Sequence, residues 1–129
     1  KAADPLAVVR AGAADIAVLK VAPLGGVRAL LDIAAQIDVP VVLSSALDSA
    51  VGISAGLAAA AALPRLEYAC GMGTGRLFIE DVAEHIPVDG RLPVTAPTPD
   101  PARLAGLAAP PDRRDWWIAR VRDCWTWLR

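Results

Sequence analysis

Along the first half of the chain, short runs of β-branched and aliphatic residues alternate with longer alanine-rich stretches whose apolar positions recur every three or four residues. Residues 5–12 read as a helix, with Asp4 as its cap and Pro5 at the first helical position. Residues 15–21 (DIAVLKV) are too apolar for an exposed antiparallel strand and read as a buried parallel one. Residues 26–37 return to helical spacing through Val27, Leu30, Leu31 and Ala34. Residues 40–45 (PVVLSS) form a second expected strand. A third helix is expected over 49–63, rich in small residues and almost without charge, so it should be packed on most sides. A third short strand is expected over 66–71 (LEYACG).

Alternating β and α units with near-continuous apolar strands predict a parallel sheet, either doubly wound or a (β/α) barrel. Three strands are too few for either: a barrel closes with about eight, and an open parallel sheet this small would leave both edges unpaired. The expectation is therefore part of a larger unit, unstable or self-associating alone. After Gly71 the pattern changes. Seven of the 11 prolines (Pro87, Pro93, Pro97, Pro99, Pro101, Pro110 and Pro111) fall within residues 86–111. That stretch should be irregular, with a short strand near 91–94. A last helix is expected over 113–128, capped by Asp112, with Trp117, Val121, Cys124 and Leu128 on one face.

Composition narrows the function classes. Hydrophobic residues make up 55% of the 129, so a substantial core must be buried. The net charge of −1 gives no reason to expect a nucleic-acid or anionic-membrane partner. Cys70 and Cys124 lie far apart and His85 is the only histidine, which excludes a zinc ribbon or disulfide framework and fits a reducing cytosol. No metal ligand is assigned within the chain. The longest apolar stretch, 51–64, is broken by Gly and Ser and is too short to span a bilayer. The first residues do not resemble a secretory signal. The expected location is cytoplasmic.

Lys20 is the leading candidate for chemistry. Alternation along its strand places it on the side of Ile16 and Val18, at the C-terminal end, the rim where parallel α/β folds place their active sites. A lysine on such a face either holds a charge near a developing anion or snorkels to solvent, and the residues alone leave both open. Ser44 and Ser45 end the next strand at the same rim, where hydroxyls and amides before a helix suit a carboxylate or phosphate, or merely cap the loop. Gly71 ends the third strand. Asp48 and Ser49 read as helix caps. GMGTG (71–75) suggests a dinucleotide loop only superficially, because Arg76 replaces the third glycine of that motif. Gly25 and Gly26 read as a tight turn into the next helix. His85 reads as a surface or packing residue. Trp116, Trp117, Trp125 and Trp127, interleaved with Arg113, Arg114, Arg120, Arg122 and Arg129, suggest a membrane-surface helix or, diluted by Asp112, Asp115 and Asp123, an aromatic helix docking on its own protein.

Three segments carry a resemblance: ADIAVLKVAPLGG (14–26), VPVVLSSALDSAVGISAGLAAAAALP (39–64) and ACGMGTGRLF (69–78). In this order and spacing, and together with PPDRRDWW near the end, they resemble the actinobacterial o-succinylbenzoate synthases of the enolase superfamily. The resemblance implies an α/β fold: the C-terminal part of an enolase-type (β/α)7β barrel, with 15–20, 40–44 and 66–70 as strands six to eight. Residues 1–77 would be the partial barrel and 78–129 a C-terminal extension packing on the barrel and capping domain.

The resemblance also implies a lyase that eliminates water from a succinyl-hydroxycyclohexadiene carboxylate in menaquinone biosynthesis, with Mg2+ stabilising the enediolate left when a lysine removes the α proton. Lys20 matches the second active-site lysine, opposite the base. Ser44 and Ser45 match the strand-seven rim that binds the small-molecule carboxylate substrate, and Gly71 lies near the strand-eight contact. The base and the Mg2+ ligands of the family lie on earlier strands, so the implied partner is the missing N-terminal barrel, and the chain alone is expected to be inactive. The competing expectations are an N-acylamino acid racemase or epimerase of the same superfamily, and a non-catalytic truncated remnant.

Overall fold

The computed structural model describes residue 4 and residues 6–127. Two parallel strands form its sheet, β1 (Ala17–Leu19) and β2 (Val41–Leu43), in the register Ala17↔Val41, Val18↔Val42 and Leu19↔Leu43. The helices are α1 (Ala7–Arg10), α2 (Val21–Leu24), α3 (Val27–Ala34), α4 (Ala50–Ala62), α5 (Pro101–Gly106) and α6 (Pro111–Thr126), with a 3-10 turn at Gly73–Leu77. The expected β–α alternation through α4 is present, with both strands shorter than their apolar runs.

Strand alternation decides which side is the core. Ala17, Leu19 and Leu43 are buried, and Leu43 meets Leu30 of α3, both with no exposed surface. Ile53, Leu57 and Ala59 of α4 and Met72 complete this cluster. On the opposite side Val18 keeps 60% of its surface exposed and Ile16 40%. The sheet is thus covered by helices on one face and open on the other, and Lys20 belongs by alternation to the open face.

Small residues in α4 set how closely its neighbours approach. A Cβ added at Gly56 would lie 3.0 Å from Met72 Cε, and one added at Gly52 would lie 2.8 Å from Asp48 Cβ. The α2–α3 turn needs its glycines, since Gly25 and Gly26 have φ of 95° and 128°.

Several expected elements differ. The strand over 66–71 contracts to one parallel bridge, Ser44↔Gly71. Leu66, Glu67, Tyr68 and Ala69 are exposed, so nothing buries a face there, and only Gly71 reaches the sheet. Its amide donates to Leu43 O at 2.8 Å and its carbonyl accepts from Ser45 N at 3.0 Å. The strand near 91–94 is instead a tight turn closed by the antiparallel bridge Val88↔Arg91, with positive φ at Asp89 and Gly90.

Within the segment read as irregular, Asp100 caps α5 by accepting from Ala102 N (2.8 Å) and Arg103 N (2.9 Å). The last helix starts earlier than expected, at Pro111, a residue that loses nothing at a first helical position; Asp112 sits in the first turn and is not the cap. The first helix also departs from expectation: it begins at Ala7 with Leu6 in the cap position, and Asp4 is not its cap but accepts from Leu6 N at 2.9 Å in the turn before it. The expectations on Pro5, Leu128 and Arg129 lie outside the described residues. No residue of α6 is buried in this chain, so the expected docking of its aromatic face is not complete within it. No helix among the described residues is long and apolar enough to cross a membrane.

Candidate active site at the strand ends

Beyond the last paired rung, both strands turn polar, and the backbone sets what meets. Ser44 N donates to Leu19 O at 3.0 Å, which extends the ladder by one step and brings Lys20 beside Ser44 on the open face. Lys20 has extended dihedrals (φ −132°, ψ 132°) and begins α2. Its Nζ donates to Ser44 Oγ at 2.9 Å and to Ser45 O. Two of the three ammonium donors are thereby committed. Both partners are neutral oxygens, and no carboxylate lies within ion-pair distance of Lys20 among the described residues. Lys20 is half-buried, and its side chain is tied to oxygens of both residues that follow β2.

Ser45 faces the other way. It is 5% exposed, and its hydroxyl contacts Thr74 Oγ1 at 2.7 Å and donates to Gly71 O at 3.1 Å. It ties the glycine turn 71–75 to the end of β2, while its carbonyl holds Lys20. Gly71 has little room for a side chain, because a Cβ there would stand 3.2 Å from Ser44 Oγ. The structure therefore brings Lys20, Ser44, Ser45 and Gly71 into one cluster. Ser45 and Gly71 serve it mainly through their backbones.

Thr74 was not foreseen as part of this cluster; a hydroxyl inside GMGTG, just past the third strand end, was the available signal. Ser49 caps α4, accepting from Gly52 N at 3.4 Å, whereas Asp48 accepts from Ala46 N at 2.8 Å and shapes the preceding loop. His85 is a structural contact, its Nε2 2.9 Å from Ala50 O.

A small cavity of about 140 Å³ adjoins the cluster, bounded by Ala22, Ser44, Ser45, Asp48, Gly52 and Met72. A far larger cleft, about 1420 Å³, lies between α4 and the segment after Gly73, lined by Ile53, Leu57, Arg76, Phe78, Ile79 and Leu92 among others. It touches neither Lys20 nor Ser44. Beside it Arg103 pairs with Glu84 at 2.6 Å, and that hydrogen bond and charge hold the guanidinium above its ordinary pKa. No group of three or more His, Cys, Asp or Glu among the described residues is arranged to hold a metal ion.

A parallel α/β unit whose strand ends gather a lysine and hydroxyls is the arrangement expected of part of a larger parallel (β/α) fold. The chain belongs to the enolase C-terminal domain-like family, whose pattern it matches over residues 2–114. It is 74% identical over 129 residues to proteins named o-succinylbenzoate synthase in Mycobacterium ulcerans and Mycobacterium tuberculosis, and 70% identical to that of Mycobacterium leprae. These alignments cover 99% of this chain and 39–40% of each relative, so the chain spans about two fifths of the length of the curated relatives it matches. Among solved structures, a muconate cycloisomerase variant superimposes with a TM-score of 0.71 and the muconate lactonizing enzyme from Pseudomonas putida with 0.70. Both are 27% identical, over 81% of this chain and 32% of theirs.

Proposed function

We propose that this chain supplies the Lys20 side of an o-succinylbenzoate synthase active site, a dehydratase of menaquinone biosynthesis. The observation that carries the reading is Lys20 Nζ, held by Ser44 Oγ and Ser45 O at adjacent parallel strand ends with no carboxylate among the described residues to neutralise it. The 70–74% identity to the mycobacterial enzymes supports it. In the elimination, the proton α to the carboxylate goes to a base outside this chain, the C–O bond breaks, and the departing hydroxyl takes a proton back from that base and leaves as water. Removing that proton concentrates negative charge on the carboxylate end of the substrate. A cation already fixed in place stabilises that charge without reorganising. Lys20 fills that role.

In this reading Mg2+ and its ligands belong to the part of the enzyme outside this chain. The open face of Ile16 and Val18 is where the remaining barrel strands close. Residues 1–77 form the barrel portion and 78–129 an extension toward the capping domain, in a cytoplasmic enzyme.

A chimera tests the proposal: this chain replacing the matching two fifths of the Mycobacterium tuberculosis relative. It is expected to form o-succinylbenzoate, and Lys20→Ala in it is expected to lower kcat by about 100-fold or more, the scale of a key electrostatic group. A folded chimera that racemises N-acylamino acids but does not dehydrate would redirect the reading. Unchanged turnover by the Lys20→Ala chimera would remove Lys20 from the site.

A further inference from the structure

The first residue of α4 is gripped at both ends of its peptide unit by one distant segment. Ala50 N donates to Asp81 Oδ2 at 2.7 Å, and His85 Nε2 donates to Ala50 O at 2.9 Å, which puts the ring proton on Nε2 because a carbonyl only accepts. Ala50 is itself 3% exposed. The other oxygen of Asp81 accepts from Val82 N at 2.6 Å, so the carboxylate is fixed on its own backbone while it caps the helix. The segment carrying both groups is braced in turn. Asp100 N donates to Val82 O at 2.9 Å, and Arg103 reaches both Glu84 (2.6 Å) and Asp81 O (3.4 Å).

What lies between Ala50 and the cation gives this clasp a purpose beyond holding a surface strap. The connection from Ser45 to Ala50 is short and bent. Leu47 adopts φ of 61°, a left-handed conformation that a branched side chain seldom takes. The loop is also pressed onto the helix so closely that only glycine fits at position 52, against Asp48 Cβ. A loop of this shape relaxes unless both ends are held. The sheet holds one end, through Ser44 N and Ser45 N. The clasp on Ala50 holds the other. The carbonyl that the loop presents at its start, Ser45 O, is one of the two oxygens that fix Lys20 Nζ.

We infer that Asp81 and His85 are positioning residues for the Lys20 site: by clamping Ala50 they keep the Ser45–Ser49 loop in the shape that aims the ammonium. They touch no reacting atom. The inference rests on Lys20 being the cation of the site, and it is tested without turnover, so an inactive chimera would leave it standing.

Lys20 is the only lysine besides Lys1, so its amine can be followed individually. Reductive methylation of the chain with 13C-formaldehyde, read by NMR with Lys1 as internal reference, reports how firmly Nζ is held. Asp81→Ala is expected to speed methylation of Lys20 several-fold relative to Lys1, while the amide of fully buried Leu30 keeps its protection against exchange. Asp81→Asn, which retains one side-chain acceptor, should fall between Asp81→Ala and the unaltered chain. An unchanged Lys20 rate in Asp81→Ala with Leu30 still protected overturns the inference. Should that variant lose Leu30 protection, His85→Ala is judged by the same criterion. In the unaltered chain, an Ala50 amide that exchanges as fast as that of Val51 would also overturn it.

Discussion

Lys20 and Ser44 face each other one step beyond the Leu19↔Leu43 rung, with the ammonium donating to the hydroxyl across 2.9 Å. The contact links residues 24 apart in sequence, yet it needs no special loop: the parallel register that pairs the buried leucines delivers it. Ser44→Ala removes one of the two anchors and leaves Ser45 O. Urea denaturation should show a loss of about 1 kcal/mol, the usual worth of one hydrogen bond. In the chimera the same change should lower kcat more than it raises KM. A variant whose kcat is unaffected would show that Ser45 O alone fixes the cation.

Ser45 predicts a different balance. Its buried hydroxyl serves Gly71 O and Thr74 Oγ1 at once, so Ser45→Ala takes a partner from Thr74 Oγ1 while Gly71 O keeps Ser45 N, and should cost about 1–3 kcal/mol of stability. Thr74→Ala removes one of those contacts and should cost less. The order of the two denaturation midpoints is the check, and a reversed order would contradict the bonding described.

Fold and site should separate cleanly under mutation. Leu30 has no exposed surface and packs on Leu43, so Leu30→Ala is expected to destabilise by about 2–5 kcal/mol through transfer loss and cavity formation. Lys20→Ala, at a half-buried rim position, should stay within about 1 kcal/mol of the unaltered chain. Equal thermal-midpoint losses for the two would mean that Lys20 is structural.

All four tryptophans lie on or next to α6, and none is buried. The fluorescence of the chain should therefore be solvent-like and readily quenched by iodide. Mixing with the polypeptide that precedes the matching region in a mycobacterial relative should shift emission to the blue and protect it, if residues 78–129 pack on a capping domain. Quenching that persists in the chimera would show that the aromatic helix has no seat there.

Titration calorimetry of the chain with Mg2+ should show no binding at millimolar concentration, because no three carboxylate, His or Cys groups converge among the described residues. The chimera is expected to bind. Binding by the isolated chain would place a metal site among these 129 residues and revise the division of labour proposed above.

Much of this was legible in the sequence, for identifiable reasons. DIAVLKV and PVVLSS carry apolar runs (IAVL and VVL) followed by polar residues, so they mark both strands and place Lys20, Ser44 and Ser45 just past the strand ends. The motif spacing carried the family. The stretch 66–71 misled because its composition suits a strand, while pairing depends on neighbours that only Gly71 has. Helix α5 was hidden among prolines although Asp100–Pro101 repeats the Asp4–Pro5 signal at the other end of the chain. The reach of Asp81 to Ala50 spans 31 residues and leaves no periodic trace.

One consequence follows from the absent side chain at Gly56. Met72 fills the space a Cβ there would need, at 3.0 Å from Cε, and Met72 directly follows Gly71, which is bonded to both Leu43 and Ser45. A single methyl in the middle of α4 would press on the end of the Met72 side chain, one residue from the peptide that ties the glycine turn to β2. In a Gly56→Ala chain this should register as a displaced Gly71 amide resonance. The cluster at the strand ends would then respond to a change in a helix behind it, while every residue of the cluster stayed the same.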